Sequence, residues 1–346
     1  MERNYLIEKL RRLCNGQAVE DEGLARILES NGCYSLFKQI PSRKMDFAIL
    51  TAINYNVIKN RYDVCKPIFQ ELSYIPYAVI KGAVLSDRIY GNPVYRKSGD
   101  IDLLISPKHY DVVREILKQN GFIQGKLSEK RIIPYTRKEL IYQHMFSHQA
   151  PAFMKQTKNP MCPFINMDVN LDIFWGESPI RGNMDDFLSY TENRTIFGMN
   201  VKVLRPVHEC ISLCMHHYKD LNSLYLLNSR AISVSLFLDL YEYFTKVRPD
   251  AIELRKVCDQ LRVTNYISFC IWHTEQVFSS EILRQYLEVI PPEKDMLNRI
   301  GLAEDEYKIL EGGVSRALFD PNFSGRLEAL LTEQDRKKIE INRMYM

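Results

Sequence analysis

Apolar positions in the first part of the chain recur at three- and four-residue spacing: Leu6, Leu10 and Leu13, then Phe47 to Ile58 and Tyr62 to Leu72. That period lines one face of a helix, so residues 1 to about 72 read as helical. Pro67 is expected to kink or restart the last of these elements, because proline removes a backbone donor and crowds the preceding turn. At Ile75 the texture changes to Pro76-Tyr77-Ala78-Val79-Ile80, a short β-prone run ending at Lys81-Gly82. Ala83 to Ile89 or Tyr90 then reads as a helix stopped by Gly91-Asn92-Pro93. Ile101 to Ile105, flanked by Asp100, is a second short strand, and Pro107 opens a helix that closes at Asn120-Gly121.

Leu140 to Phe146 and Met167 to Phe174 are further strand candidates. In the latter, Met167, Val169, Leu171 and Ile173 alternate with Asp168, Asn170 and Asp172, which puts the apolar set on one face and the polar set on the other. Strands interleaved with helices imply a small mixed sheet with helices packed on it. From Pro206 onward the spacing is helical: Glu209 to Tyr218, Ser229 to Thr245, Ala251 to Leu261, Tyr266 to Ser279 and Ser280 to Val289. Glu333 to Met346 is charge-rich and reads equally as a helix or a frayed tail. The expected architecture is α+β: a helical N-terminal unit over 1–72, a mixed-sheet core over 73–205 and a helical C-terminal unit over 206–346.

Composition adds little to this and removes some function classes. Of 346 residues, 46% are apolar and 26% charged, ordinary for a globular protein. A net charge of +3 is too small to argue for a dedicated nucleic-acid or membrane surface, although it leaves room for a local basic groove. Met1 to Cys14 mixes Glu2, Arg3, Glu8, Lys9, Arg11 and Arg12 with its apolar residues, unlike a secretory signal, and no apolar run approaches the roughly 20 residues that span a bilayer. The expected location is the cytoplasm. Eight scattered cysteines suit a compartment that keeps thiols reduced. Cys210 and Cys214, near His208, His216 and His217, could suggest zinc, but their strongly apolar helical surroundings favour core packing.

The stretch that carries chemistry is Lys81-Gly82-Ala83-Val84-Leu85 followed by Arg96-Lys97-Ser98-Gly99-Asp100-Ile101-Asp102-Leu103-Leu104-Ile105. Residues two apart on a strand face the same way, so Asp100 and Asp102 present both carboxylates to one side. Two such acids repel unless cations lie between them. Mg2+ prefers a few carboxylate oxygens with water and substrate phosphate, and phosphoryl or nucleotidyl transfer uses such ions in pairs. The competing reading is a half-solvated strand with an acidic outer face. Context weighs against it: Gly82 opens a helix whose N-terminus favours an anion, and Lys81, Arg96 and Ser98 are within chain reach of the same edge. His144 and His148 alternate with apolar residues and are expected to be structural.

This order, a strand, Lys-Gly, a helix, then Arg-x-Ser-x-Asp-Ile-Asp on a strand, resembles the polymerase-β-type nucleotidyltransferase superfamily, and most closely its uncharacterised nucleotidyltransferases with a Lys-Gly…Arg…Asp-Ile-Asp-Leu-Leu signature. A related spacing is found in toxin nucleotidyltransferases. The match is close over residues 79 to 122 and weaker to 175. The resemblance implies that Asp100 and Asp102 bind Mg2+ or Mn2+ and that a third acid on a later strand completes the first metal. Asp172 is the preferred match for that acid and Asp168 its rival. Phe174 stands where the family often has histidine, and Gly82-Ala83 where the superfamily commonly has Gly-Ser or Gly-Gly. Lys81, Gly82, Arg96 and Ser98 would then hold the phosphates of a nucleoside triphosphate, whose monophosphate passes to a small molecule, a peptide or protein, or tRNA. The alternatives are a toxin-like tRNA nucleotidyltransferase and a catalytically silent nucleotide-binding protein.

Overall fold

In chain order, helices α1 (Glu2–Cys14), α2 (Glu22–Ser30) and α3 (Lys44–Glu71) lead to strand β1 (Tyr77–Ile80), helix α4 (Gly82–Tyr90) and strand β2 (Ile101–Ile105). The structure is a computed structural model and describes residues 2–230 and 232–345. Helix α5 (Tyr110–Gln119), strands β3 (Ile123–Ser128) and β4 (Arg131–Pro134), and helix α6 (Arg137–Phe146) come next. They are followed by strands β5 (Phe153–Gln156) and β6 (Phe164–Asn170), helix α7 (Met184–Phe187) and strands β7 (Thr191–Ile196) and β8 (Met199–Leu204). The fold class is the α+β arrangement expected from the sequence.

The chain packs as two units. One, the sheet unit, comprises Leu50–Glu209 with Tyr345–Met346; the other, the helical unit, comprises Met1–Ile49 with Cys210–Met344. Residues 50–72 therefore belong with the sheet. The reason is burial: Ile58, Tyr62, Cys65, Ile68, Phe69 and Leu72 share one apolar core with Val79, Leu103, Val169 and Val201.

The sheet is mixed, with strand order β4-β3-β5-β6-β2-β1-β8-β7. Every residue of β1 and β2 is buried, as a near-continuous apolar run requires of central strands covered on both faces. The largely exposed β4 and the polar β7 lie at the two edges. Strand β2 runs antiparallel to β1, with Ile80 opposite Asp102, and parallel to β6, with Asp102 opposite Asp168.

Three local expectations are corrected. Leu140 to Phe146 is helical, within α6, because Thr136 Oγ1 accepts from the Glu139 N–H and the Glu139 carboxylate accepts from the Thr136 N–H, a reciprocal box that commits the chain to a helix start. Strand β6 ends at Asn170, so Leu171 to Phe174 lie beyond it. Helix α3 continues through Pro67 to Glu71, so the chain does not restart a helix there. Strands β3, β4, β5, β7 and β8 lie outside the sequence expectations, although Met199, Val201 and Val203 of β8 alternate with Asn200 and Lys202 as a half-buried strand does.

In the helical unit, α8 begins at Pro206 and runs to Asn222, with α9 (Leu224–Ser229), α10 (Val234–Glu242), α11 (Ala251–Leu261), α12 (Thr264–Phe278) and α13 (Glu281–Val289) after it. A two-stranded pair, β9 (Arg299–Ile300) and β10 (Lys308–Ile309), precedes α14 (Gly313–Ala317), α15 (Phe323–Leu330) and α16 (Glu333–Tyr345), so the charge-rich C-terminus is a helix. Cys210 and Cys214 are fully buried, and Cys270 donates to the Cys214 carbonyl. No helix among the described residues is long and apolar enough to cross a membrane.

Candidate active site

The site is built where β1 ends. Lys81 follows Ile80 and caps α4 in an unusual backbone conformation, φ 56° and ψ −149°. A side chain makes that region costly, by roughly 1–3 kcal/mol, and such strain persists only where surrounding structure enforces it. Gly82 also has positive φ, +46°, and a Cβ there would come within 2.9 Å of Ser98 Oγ. Glycine is thus required both by the turn and by the close approach of the 98–100 segment. Ser98 Oγ donates to the Asp100 carbonyl (3.0 Å), and Arg61 of α3 donates to the Ser98 carbonyl. Ser86 Oγ donates to the Asn92 carbonyl and accepts from the Arg96 N–H, tying the intervening loop to α4.

Asp102 is 4% exposed, and its Oδ1 lies 2.7 Å from Lys81 Nζ. The same oxygen accepts a long hydrogen bond from Asn170 Nδ2 (3.4 Å), whose amide also donates to the Leu103 carbonyl; Gln149 in turn donates to Asn170. Asp168, directly opposite Asp102 in the parallel ladder, accepts from Asn166 Nδ2 at 3.1 Å. Like charges at neighbouring-strand separations repel by roughly 2–4 kcal/mol at an effective dielectric near 20. Burial raises the Asp100 carboxyl, with Asp102 adding to it and Lys81, Arg61 and Arg96 opposing. Burial, then Asp102 and Asp100, push Asp168 up to about 7.

Asp100, Asp102 and Asp168 are therefore one electrostatic group, with Lys81, Arg61 and Arg96 as its cations. Asp172 is not brought into it. It lies beyond the end of β6, where its carboxylate accepts from the backbone N–H groups of Phe174 (3.1 Å) and Gly182 (3.2 Å) and organises the 172–182 loop. Burial raises its pKa, those backbone bonds oppose the rise, and the nearby charge acting on it is Arg181. Register thus sets Asp168 rather than Asp172 opposite Asp102: polar alternation carries through Asp172, but β6 ends at Asn170. His144 is exposed on α6, and the His148 carbonyl accepts from the Leu171 N–H.

Asn166, Asn170 and Arg61 were not singled out from the sequence. The first two share a strand face with Asp168, a period-two signal that was legible; Arg61 is a buried cation on the apolar face of α3, which only packing reveals.

Among the described residues, no three His, Cys, Asp or Glu side chains stand close enough to cage an ion. The donors nonetheless suit a hard divalent cation. All are oxygens, the buried Asn166 Oδ1 beside Asp168 has no hydrogen-bond partner, and Mg2+ needs only one or two carboxylates when water and phosphate complete its shell.

A family model described as uncharacterised nucleotidyltransferase matches residues 18–279. The chain belongs to that nucleotidyltransferase family. Membership in the nucleotidyltransferases supports nucleotidyl transfer as the general chemistry. A solved structure described as an antigenic nucleotidyltransferase-like protein from Paracoccidioides brasiliensis is similar over 70% of this chain and 97% of its own, at 16% identity and a TM-score of 0.39. No curated protein matches the chain.

Proposed function

We propose that this protein is a metal-dependent nucleotidyltransferase that moves a nucleoside monophosphate from a nucleoside triphosphate to an acceptor oxygen. An acceptor O–P bond forms at the α-phosphorus as the P–O bond to pyrophosphate breaks. The observation that carries this reading is the register of Asp168 against Asp102, two residues from Asp100. Nucleotidyltransferases in general use a nucleoside triphosphate and a divalent metal.

In this reading one or two carboxylates of the Asp100, Asp102 and Asp168 group would hold each Mg2+ or Mn2+, with water and phosphate completing its shell, and the ion would supply positive charge against the charge that develops on the transferred phosphoryl group. The chain's own groups do the rest. The Gly82 N–H at the start of α4 offers the phosphates a donor and a favourable helix end, and the Gly82 hydrogen leaves room for their approach. Lys81 and Arg96 offset phosphate charge, and Ser98 fixes the turn that presents Asp100. Asp168, directly opposite Asp102 on the neighbouring strand, is the carboxylate placed to receive the proton of an acceptor hydroxyl. Asp172 has a structural role in the loop that follows β6.

The test is incubation with each of four α-labelled nucleoside triphosphates and Mg2+ or Mn2+, offering small hydroxylated molecules, protein and tRNA as acceptors. Labelled acceptor with stoichiometric pyrophosphate is the expected result, and the labelled species identifies the acceptor class. Metal-dependent nucleotide binding without pyrophosphate release in any mixture would replace this reading with a silent nucleotide-binding protein.

A further inference from the structure

The Lys81 ammonium occupies an unusual place. It is 2.7 Å from Asp102 Oδ1, with side chains only 13% and 4% exposed, and its charge also acts on Asp100 and Asp168. All three acids thus share one internal cation. Its reach is set by the ladder: Ile80, the residue before it, lies directly opposite Asp102. Its backbone is held at φ 56° and ψ −149°, a region avoided by residues with a side chain. A lysine at such a position is puzzling if its only task is to meet phosphate, since the strain exists before any phosphate arrives. It is accounted for if the ammonium must be aimed at the acids in the ion-free protein.

We infer that Lys81 is a tethered counter-cation: it stands in for the divalent ion among Asp100, Asp102 and Asp168, and an arriving ion must displace it from Asp102. The inference rests on the reading that these carboxylates hold the ion. Two positive groups cannot share Asp102 Oδ1 without repelling each other, and Asn170 Nδ2 already donates to that oxygen. Displacement frees the ammonium for the anionic phosphates at the start of α4, the next residues in the chain. Ion and lysine are therefore competitors on the carboxylates, while lysine and nucleotide are partners.

Competition of this kind has a sign that an ordinary structural ion pair lacks. Mn2+ is titrated into the full chain without nucleotide, following free Mn2+ by electron paramagnetic resonance, and melting temperatures are recorded with and without the ion. Lys81→Met is expected to bind Mn2+ about tenfold more tightly than wild type, within the usual range of coupling between ligands. It is also expected to melt lower than wild type without Mn2+ and to recover with it. Lys81→Gly removes the charge while suiting the positive φ, so it gives the same affinity gain even where Lys81→Met folds poorly. Lys81→Arg keeps the charge and is expected to keep wild-type affinity.

Asp102→Asn separates this inference from the reading beneath it. If Asp102→Asn loses Mn2+ binding but Lys81→Met and Lys81→Gly bind no more tightly than wild type, the counter-cation role is overturned and the carboxylate site stands. Tighter binding by Lys81→Arg would also overturn it, since loosening rather than charge removal would then be the cause. If Asp102→Asn binds Mn2+ as well as wild type, the carboxylate site itself is wrong.

Discussion

Asp168 stands directly opposite Asp102 across a parallel ladder, so two acids from segments far apart in sequence face one another on adjacent strands. Their mutual repulsion is what a cation bound between them would relieve. Asp102→Asn and Asp168→Asn preserve size and hydrogen-bonding shape while removing charge. Each is expected to lower nucleotidyl transfer by about 10²- to 10³-fold, the scale for loss of one electrostatic stabiliser. Pyrophosphate release measures the loss, and unchanged far-ultraviolet circular dichroism shows that folding is retained.

Burial, with this repulsion added to it, sets a pH dependence. Asp168 is held up at about 7 by burial and by Asp102 and Asp100, against about 3.9 in an unfolded chain. A carboxyl with a raised native pKa binds more protons folded than unfolded, so the ion-free protein is expected to lose stability as pH rises from about 4 to about 7. Divalent cations need the deprotonated form, so Mn2+ affinity is expected to climb over the same rise and level off above about 7. Melting curves and Mn2+ titrations across this window check both signs. Asp168→Asn should flatten its contribution to the stability slope.

Gly82→Ala tests the phosphate turn. The added Cβ would meet Ser98 Oγ at 2.9 Å and must be carried at φ +46°. The expected cost is about 1–2 kcal/mol of stability for the left-handed conformation, with weaker nucleoside triphosphate binding as the 98–100 segment is pushed away. Adding Ser98→Ala removes the contact but not the backbone penalty, so binding should recover only in part. Thermal melts and nucleotide titration separate the two contributions.

Asp172 and Asp168 make opposite expectations. Asp172→Ala removes the acceptor for the Phe174 and Gly182 N–H groups and is expected to destabilise by about 1–3 kcal/mol through unsatisfied backbone donors. Its Mn2+ affinity should stay within about twofold of wild type, whereas a metal ligand would typically show a loss of tenfold or more. Chemical denaturation and Mn2+ titration give the two readouts. A large affinity loss with unchanged stability would return Asp172 to the metal group.

The sequence by itself determined the local pieces of this protein. Lys81-Gly82 at the junction of a strand and a helix follows from the local pattern, and so does a strand that begins just after Asp100 and carries Asp102. Alternation past Asn170 was legible too, but it could not tell where β6 ends, and Asp172 therefore looked a better match than Asp168. Only the tertiary structure decided that Asp168 meets Asp102, that Arg61 reaches in from α3, and that Lys81 turns onto the acids. Those relations depend on strand register and on which helix covers the sheet, and both are set by burial summed over distant segments rather than by any local pattern.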